Sequence, residues 1–166
     1  MARILKDEEI EELITEEKVL PPNWQNRLRP RPKTNYAYSE RELPIRSVLN
    51  RAFHIVIRTN RINLLDFSII LMFEDDDQMD YRLMRCNGFH SSKHTNKWEK
   101  ERSLPNSWFN PTFHIHRATE RYQIAGYAID GYAEPCDEYS SYEAALTVFL
   151  SRCRLNEPPS PQGQLF

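Results

Sequence analysis

Histidine is concentrated in one part of this chain. Four of its five histidines fall in a single stretch: His90, His94, His114 and His116. The last two stand two residues apart in the segment FHIHRATERYQ, and side chains two apart in a strand point to the same side. We therefore expect His114 and His116 to share one face. Phe113 and Ile115 then point to the opposite side, into the core.

A metal ion is one partner for such a group. Two imidazoles from a strand and one from the preceding loop provide three nitrogen ligands and leave an open position, as in catalytic zinc sites. On this hypothesis the ligands are His114, His116 and His90, and no other cofactor is expected.

General acid–base chemistry on RNA is a second hypothesis. Imidazole titrates near neutral pH, so one neutral and one protonated histidine can act as base and acid. Guanidinium groups can stabilise phosphate oxygens, and residues 81–122 hold more basic than acidic side chains. The expected catalytic residues are His114, His116, His90 and Arg85. The expected binding residues are Asn87, His94, Asn96, Arg117, Thr119, Arg121 and Tyr122.

A structural role is the third hypothesis. The histidines would then hydrogen-bond the backbone of the long loop 88–112 and hold it against the sheet. This role is compatible with a non-catalytic module that binds a partner protein through that loop or through a basic arm at 27–33. Asp130, in the segment AIDG, is interpreted as a turn residue. The residues alone leave all three hypotheses open.

Composition limits the class of protein. A chain of 166 residues suggests one domain, and 40% hydrophobic with 28% charged residues is typical of soluble globular proteins. The net charge of -2 gives no whole-chain argument for nucleic acid binding. Three cysteines without a CxxC motif argue against a thiolate zinc site. Without a signal peptide or an apolar run long enough to cross a bilayer, we expect a cytoplasmic protein with no membrane partner.

Two segments show helical patterns. In KDEEIEELITEEK, Asp7 is expected to cap a helix whose apolar side carries Ile10, Leu13 and Ile14. In SSYEAALTVFLSRC, Ser140 and the glutamate three residues later form a capping-box pattern.

Between these helices the period changes to two. AFHIVIRTN predicts a half-buried strand, and a more apolar strand follows at about 66–73. YRLMRCN predicts a third strand that ends at a turn signal, Asn87-Gly88. Its alternation separates two sets of side chains, Tyr81, Leu83 and Arg85 against Arg82, Met84 and Cys86.

Together these elements predict an α+β fold, with an antiparallel sheet of four to five strands and an N-terminal and a C-terminal helix. The helices should dock on one sheet face and leave the other face, or the loop rim, for function. The predicted organisation has four parts: an N-terminal helix at 1–22, a basic proline-rich arm at 23–42, a single core domain at 43–155 and a flexible tail at 156–166.

The stretches YRLMRCNGFHSSKHTN, FHIHRATERYQ, YAEP and SSYEAALTVFLSRC resemble a group of bacterial domain families of unknown function. More distantly, residues 81–117 are similar to TumE-type toxins of toxin–antitoxin pairs. The residues that match the pattern are Arg85, Asn87, His90, His94, His114 and His116. This chain has Cys86-Asn87 where the toxin-like pattern has an acid and an amide. The resemblance implies a toxin-like or mobile-element context and carries no reaction with it. Combined with the histidines and the basic surplus of residues 81–122, it leads us to expect a toxin-like protein that acts on RNA. The alternative is a binding module whose partner is an antitoxin-like regulatory protein.

Overall fold

The computed structural model describes residues 3–32 and 37–158. Lys33 of the expected basic arm and residues 159–166 of the expected tail lie outside the described residues. The described helices are α1 (Asp7–Thr15), α2 (Lys97–Glu101), α3 (Glu120–Ile124) and α4 (Tyr142–Arg152), with a 3-10 turn at Trp24–Arg27. None of these helices has the length and apolar character needed to cross a membrane.

Eleven strands are described: β1 (Lys18–Val19), β2 (Arg29–Pro30), β3 (Tyr38–Ser47), β4 (Ala52–Asn60), β5 (Phe67–Glu74), β6 (Asp80–Asn87), β7 (His94–Thr95), β8 (Trp108–Phe109), β9 (His114–Arg117), β10 (Tyr132–Pro135) and β11 (Leu155–Asn156). Nine of them form one sheet in the order β10-β9-β6-β5-β4-β3-β1-β11, with β2 also paired to β3. Strands β7 and β8 form a separate two-stranded sheet.

The fold is mixed α+β, as expected, but the sheet is larger than the predicted four to five strands. The long strands β3 to β6 form an antiparallel meander. The additional strands β1, β2, β10 and β11 have only two to four residues each. Two-residue segments cannot show an alternating pattern, and the sequence Tyr-Ala-Glu-Pro of β10 does not alternate, so tertiary pairing reveals these strands.

The helices α1 and α4 pack on the same face of this sheet. Their buried side chains join those of β4, β5 and β6 in one apolar cluster, in which Ile10 of α1, Ile55 of β4 and Phe149 of α4 are at most 1% exposed. The opposite face carries His54 and Arg58 of β4. Docking of both helices on one face therefore leaves the second face for polar side chains.

Both helix starts differ from the predicted caps by one residue. Lys6 occupies the cap position of α1, and the Asp7 carboxylate instead accepts a hydrogen bond from the backbone N–H of Glu120 at 2.8 Å. Ser141, not Ser140, caps α4 and accepts from the backbone N–H of Ala144 at 3.1 Å. The start of α1 therefore has no side-chain cap, whereas α4 is capped by the serine that follows the predicted one.

A β-bulge in β6 changes the predicted alternation. Leu71 of β5 pairs with Met84, and Met72 of β5 pairs with Arg82, so Leu83 is the extra residue of β6. Leu83 and Met84 are consequently both buried in the core. The expectation that Arg85 shares a face with Leu83 is therefore wrong. A bulge of this kind re-aims the following side chains, and Arg85 points to the face opposite the helices.

Gly88 follows β6 at a place where the backbone passes very close to β5. A Cβ atom at this position would lie 2.0 Å from the carbonyl oxygen of Leu65. The N–H of Gly88 donates to the carbonyl of Phe67 at 2.8 Å. The glycine thus brings the end of β6, with Asn87, tightly against the start of β5.

Candidate metal-binding site

Strands β7 and β9 bring three histidines together. His114 and His116 lie on one face of β9 and are 2% and 5% exposed, which confirms their predicted common orientation. The ring centroid of His94 on β7 is 5.0 Å from that of His116 and 5.8 Å from that of His114. One ring nitrogen from each of the three lies within 4.8 Å of the others. His90 is adjacent, with its ring 5.1 Å from that of His114, but it is not part of this group.

Backbone carbonyls fix the tautomers of the two strand histidines. Nδ1 of His114 is 2.7 Å from the carbonyl oxygen of Thr112, and Nδ1 of His116 is 2.8 Å from that of Asp130. A carbonyl only accepts, so each Nδ1 carries the proton and donates it. Nε2 of each ring is then unprotonated in the neutral form and has a lone pair that can bind a metal ion, although in His114 it also faces the Asn87 amide nitrogen at 3.4 Å.

Asn96 fixes the tautomer of His94 in the same way. Its side-chain Nδ2 donates to the carbonyls of Asn106 at 2.7 Å and Ala133 at 2.9 Å, which assigns both amide hydrogens. Oδ1 must therefore accept, and it does so from the N–H of Ala133 and from Nε2 of His94 at 2.7 Å. The N–H of His94 consequently lies on Nε2, and Nδ1 is left with its lone pair.

All three rings are held neutral. Burial lowers the pKa of His114 to about 4 and, together with the positive charge of Arg85, lowers that of His116 to about 2. The pKa of His94 is also lowered, mainly by burial. Neutral imidazole is the form that binds a metal ion. At neutral pH, the same shifts leave no protonated histidine in this group to act as a general acid.

The strand next to β9 adds a guanidinium and an amide to the site. In the register of β6 and β9, Arg85 lies opposite His116 and Asn87 lies opposite His114. Asn87 Nδ2 is 3.4 Å from His114 Nε2, whereas Asn87 Oδ1 is buried without a hydrogen-bond partner in the described structure. Asn87 therefore presents an unused buried acceptor beside the histidines.

Asp130 is a site residue that the sequence does not reveal. Its carboxylate is buried, and Oδ2 lies 3.2 Å from Nε of Arg85. Its backbone carbonyl is the acceptor for His116. The AIDG segment indicates only a turn, because both contacts depend on the fold bringing residue 130 to β6 and β9.

Four of the expected binding residues lie away from the histidines. Arg117 points to the helix-covered side of β9 and is ion-paired with a glutamate of α1. Arg121 Nη2 contacts Glu99 Oε1 at 2.6 Å, and the Tyr122 hydroxyl donates to Glu99 Oε2 at 2.7 Å. Thr119 caps α3. Arg121 and Tyr122 thus anchor α3 to α2, whereas Arg117 is held by α1 and Thr119 by the first turn of α3.

Compared with models of known protein families, with curated proteins and with solved structures, the chain matches none. The geometry of the site is therefore the basis for a functional proposal.

Proposed function

We propose that this protein binds one divalent transition-metal ion through His94, His114 and His116. The observation that supports this proposal is the common state of the three rings. Each is neutral, each donates its only N–H to a protein acceptor, and a ring nitrogen of each lies within 4.8 Å of the others. Anchoring of the second nitrogen is the usual arrangement around metal-bound histidines.

The ligand type favours zinc, nickel, copper or iron, because imidazole suits these ions. Three protein ligands leave a further position open, as in catalytic zinc sites, where the ion lowers the pKa of a bound water. In this chain, Arg85 and Asn87 lie directly opposite His116 and His114 on the neighbouring strand and add polar groups beside the three ligands. The geometry therefore supports a catalytic type of site rather than a closed structural one.

Cobalt titration tests the proposal. Tetrahedral Co²⁺ with nitrogen ligands gives visible absorption bands, and we expect them to saturate at one equivalent in wild-type protein. His94→Ala and His116→Ala should weaken Co²⁺ binding by at least 100-fold. His54→Ala, which removes the histidine of a second, mainly carboxylate group with Glu74 and Asp80, should leave the absorption bands of the three-histidine site unchanged. Absence of the bands in wild-type protein, together with no thermal shift on adding metal, would overturn the proposal.

A toxin-like protein that cleaves RNA, paired with an antitoxin-like regulatory protein, is the second candidate. The position of Arg85 beside the histidines supports it, because a guanidinium can stabilise phosphate oxygens. Metal-free acid–base catalysis by His114 and His116 would need one of them protonated, and the lowered pKa values oppose this at neutral pH. We therefore place this candidate after metal binding.

Mixed RNA incubated with wild-type protein, His114→Ala and His116→Ala tests the second candidate. Cleavage by wild type alone, with and without a chelator, would support acid–base catalysis. Cleavage that the chelator abolishes would support a metal-dependent reaction. Equal cleavage by all three proteins, or none by any, would contradict RNA cleavage.

A further inference from the structure

A second arginine shares the sheet face with the histidines. The register places Arg58 of β4 opposite Ser68 of β5, Ser68 opposite Asn87, and Asn87 opposite His114, so these four residues form one row across the sheet. Arg85 lies in the neighbouring row, between Ile70 and His116. Residues directly opposite each other on paired strands point to the same side. Both guanidinium groups therefore belong to the face that carries the candidate metal site.

The positive charge of this pair is not balanced within the described structure. Among residues 3–32 and 37–158, Arg58 has no ion-pair partner within 4.0 Å and its buried Nε has no hydrogen-bond partner. Its guanidinium stacks on the Tyr38 ring at 3.7 Å. Arg85 has one carboxylate partner, Asp130, at 3.2 Å from its Nε. Among the described residues, Asp130 is thus the one carboxylate ion-paired with this pair of arginines, and it contacts Arg85. Burial is the largest cause of the lowered pKa of Arg85, and the positive charges of Arg82 and Arg58 lower it further.

Nearby acidic side chains on β3 are engaged by another arginine. Glu40 lies opposite Arg58 in the register of β3 and β4, but its Oε1 is 3.4 Å from Nη1 of Arg31. Oε2 of Glu42 is 3.5 Å from Nε of the same Arg31. The proximal part of the basic arm therefore lies against β3, and its Arg31 guanidinium contacts both carboxylates. Among the described residues, neither glutamate forms an ion pair with Arg58 within 4.0 Å.

The surroundings of the pair suit a bound oxyanion. Between Arg58 and Asn87 lies Ser68, whose hydroxyl makes no hydrogen bond within the part of the chain that the structure describes. Beneath the arginines, Val56 and Ile70 are 1% and 7% exposed and form an apolar floor. Charge-assisted hydrogen bonds are stronger where water is excluded.

We propose that Arg58 and Arg85 bind a phosphate group of the substrate, beside the site of His94, His114 and His116. Two guanidinium forks match the charge and the multiple acceptor oxygens of a phosphate better than they match a single carboxylate. The inference that the bound phosphate belongs to a substrate rests on the proposed metal site. The phosphate-binding step depends only on the arginines and can be measured without metal.

Calorimetric titration of inorganic phosphate into chelator-treated protein tests the proposal. We expect saturable binding by wild type, and at least a tenfold loss of affinity in Arg58→Gln and in Arg85→Gln. Arg154→Gln, which removes an equal charge from an exposed position beyond α4, should change the affinity less than twofold. Because Arg85→Gln leaves Asp130 unpaired and can perturb folding, Arg58→Gln provides the independent test.

Two comparisons separate this proposal from the metal proposal. The arginine variants should still bind one equivalent of Co²⁺, and His116→Ala should still bind phosphate while it loses Co²⁺. No phosphate binding by wild type, or equal binding by wild type and both arginine variants, would overturn the phosphate site and leave the metal site intact.

Phosphate could come from a small phosphate ester or from an RNA backbone, and the two sources have separate assay arms. Phenyl phosphate that binds as inorganic phosphate does, with no binding of a short single-stranded RNA, would identify a small ester. RNA that binds more tightly than phosphate, with the same loss in Arg58→Gln, would identify a phosphodiester backbone.

Discussion

Removal of the Asn96 side chain should be the most damaging polar substitution near the histidines. Asn96 is 0% exposed, and its amide group makes four hydrogen bonds. Two of them join the N–H and C=O of Ala133, a 1% exposed residue on the edge strand β10, where the amide takes the place of a neighbouring strand. The others join the carbonyl of Asn106 and the ring of His94. Asn96→Ala leaves all four groups without this partner.

Each buried group left without a hydrogen bond costs about 1–3 kcal/mol. The two groups of Ala133 have no solvent access and should bear this cost in full, whereas water can reach the exposed Asn106. We therefore expect Asn96→Ala to lower the free energy of unfolding by about 3–5 kcal/mol, a large part of the 5–15 kcal/mol of a typical domain. His94 also loses the acceptor that fixes its tautomer, which should weaken metal binding by about 10–100-fold.

Urea unfolding followed by tryptophan fluorescence measures the first effect, and Co²⁺ titration of the folded variant measures the second. Asn110→Ala is the matched control, because Asn110 is exposed and its side chain makes no hydrogen bond in the described structure. We expect this control to change stability by less than about 0.5 kcal/mol. If Asn96→Ala loses less than about 1 kcal/mol, or no more than the control, the amide does not secure β10 as argued.

Three further predictions concern stability. In chelator-treated protein, the pKa values of about 4 for His114 and about 2 for His116 lie below the ~6.5 of an unfolded chain. Protonation of these histidines therefore favours unfolding. The stability that their neutral forms contribute is complete above about pH 6.5 and should fall by up to about 1.4 kcal/mol per histidine for each pH unit towards pH 4. Urea titrations at pH 7 and 5 check this. If replacement of both histidines (His114→Asn with His116→Asn) leaves the dependence of stability on pH unchanged, the reasoning is contradicted. Lys18→Met should lower the free energy of unfolding by about 2–4 kcal/mol, because the buried ammonium donates to three backbone carbonyls. Lys100→Met, at an exposed lysine, is the control, and equal melting temperatures of the two variants would refute the argument. Gly88→Ala should destabilise by more than about 2 kcal/mol, since a Cβ there meets backbone at 2.0 Å, and a melting temperature within 1 °C of wild type would show that the backbone can yield.

The long elements of the fold follow from local patterns. The period of two in AFHIVIRTN and the alternation of His114 with Ile115 correspond to β4 and β9, and the apolar stripe with Ile10 corresponds to α1. These patterns work because one side of each element is buried over several residues. Strands of two residues and the β7–β8 pair carry no such signal, since their position depends on what the rest of the chain places beside them.

The same reason limits how much of the candidate site's geometry the sequence can predict. Strand period places His114 and His116 together, but no spacing rule connects them with His94 on a separate strand rather than with His90. The sequence does not indicate that Asp130 lies beside the histidines, because its contacts with His116 and Arg85 depend on the position of its backbone and on its burial in the fold. The sequence also cannot show that Asn96 assigns the tautomer of His94, because this conclusion requires the partners of all its amide atoms.

Strand pairing, rather than the number of basic residues in a segment, decides which arginines lie on the same face as the histidines. Arg117 is next to His116 in the chain, but strand alternation turns it to the helix side, where α1 supplies a carboxylate. Arg85 is distant in the chain, and the bulge at Leu83 turns it to the histidine side. Arg58 is more distant still, and the pairing of four strands brings it to the same face. A local excess of basic residues is therefore a poor guide to an anion site in a β-sheet. Face and pairing decide which cations lie together, and here they bring Arg58 and Arg85, with the exposed Arg82, to the face that carries the histidines.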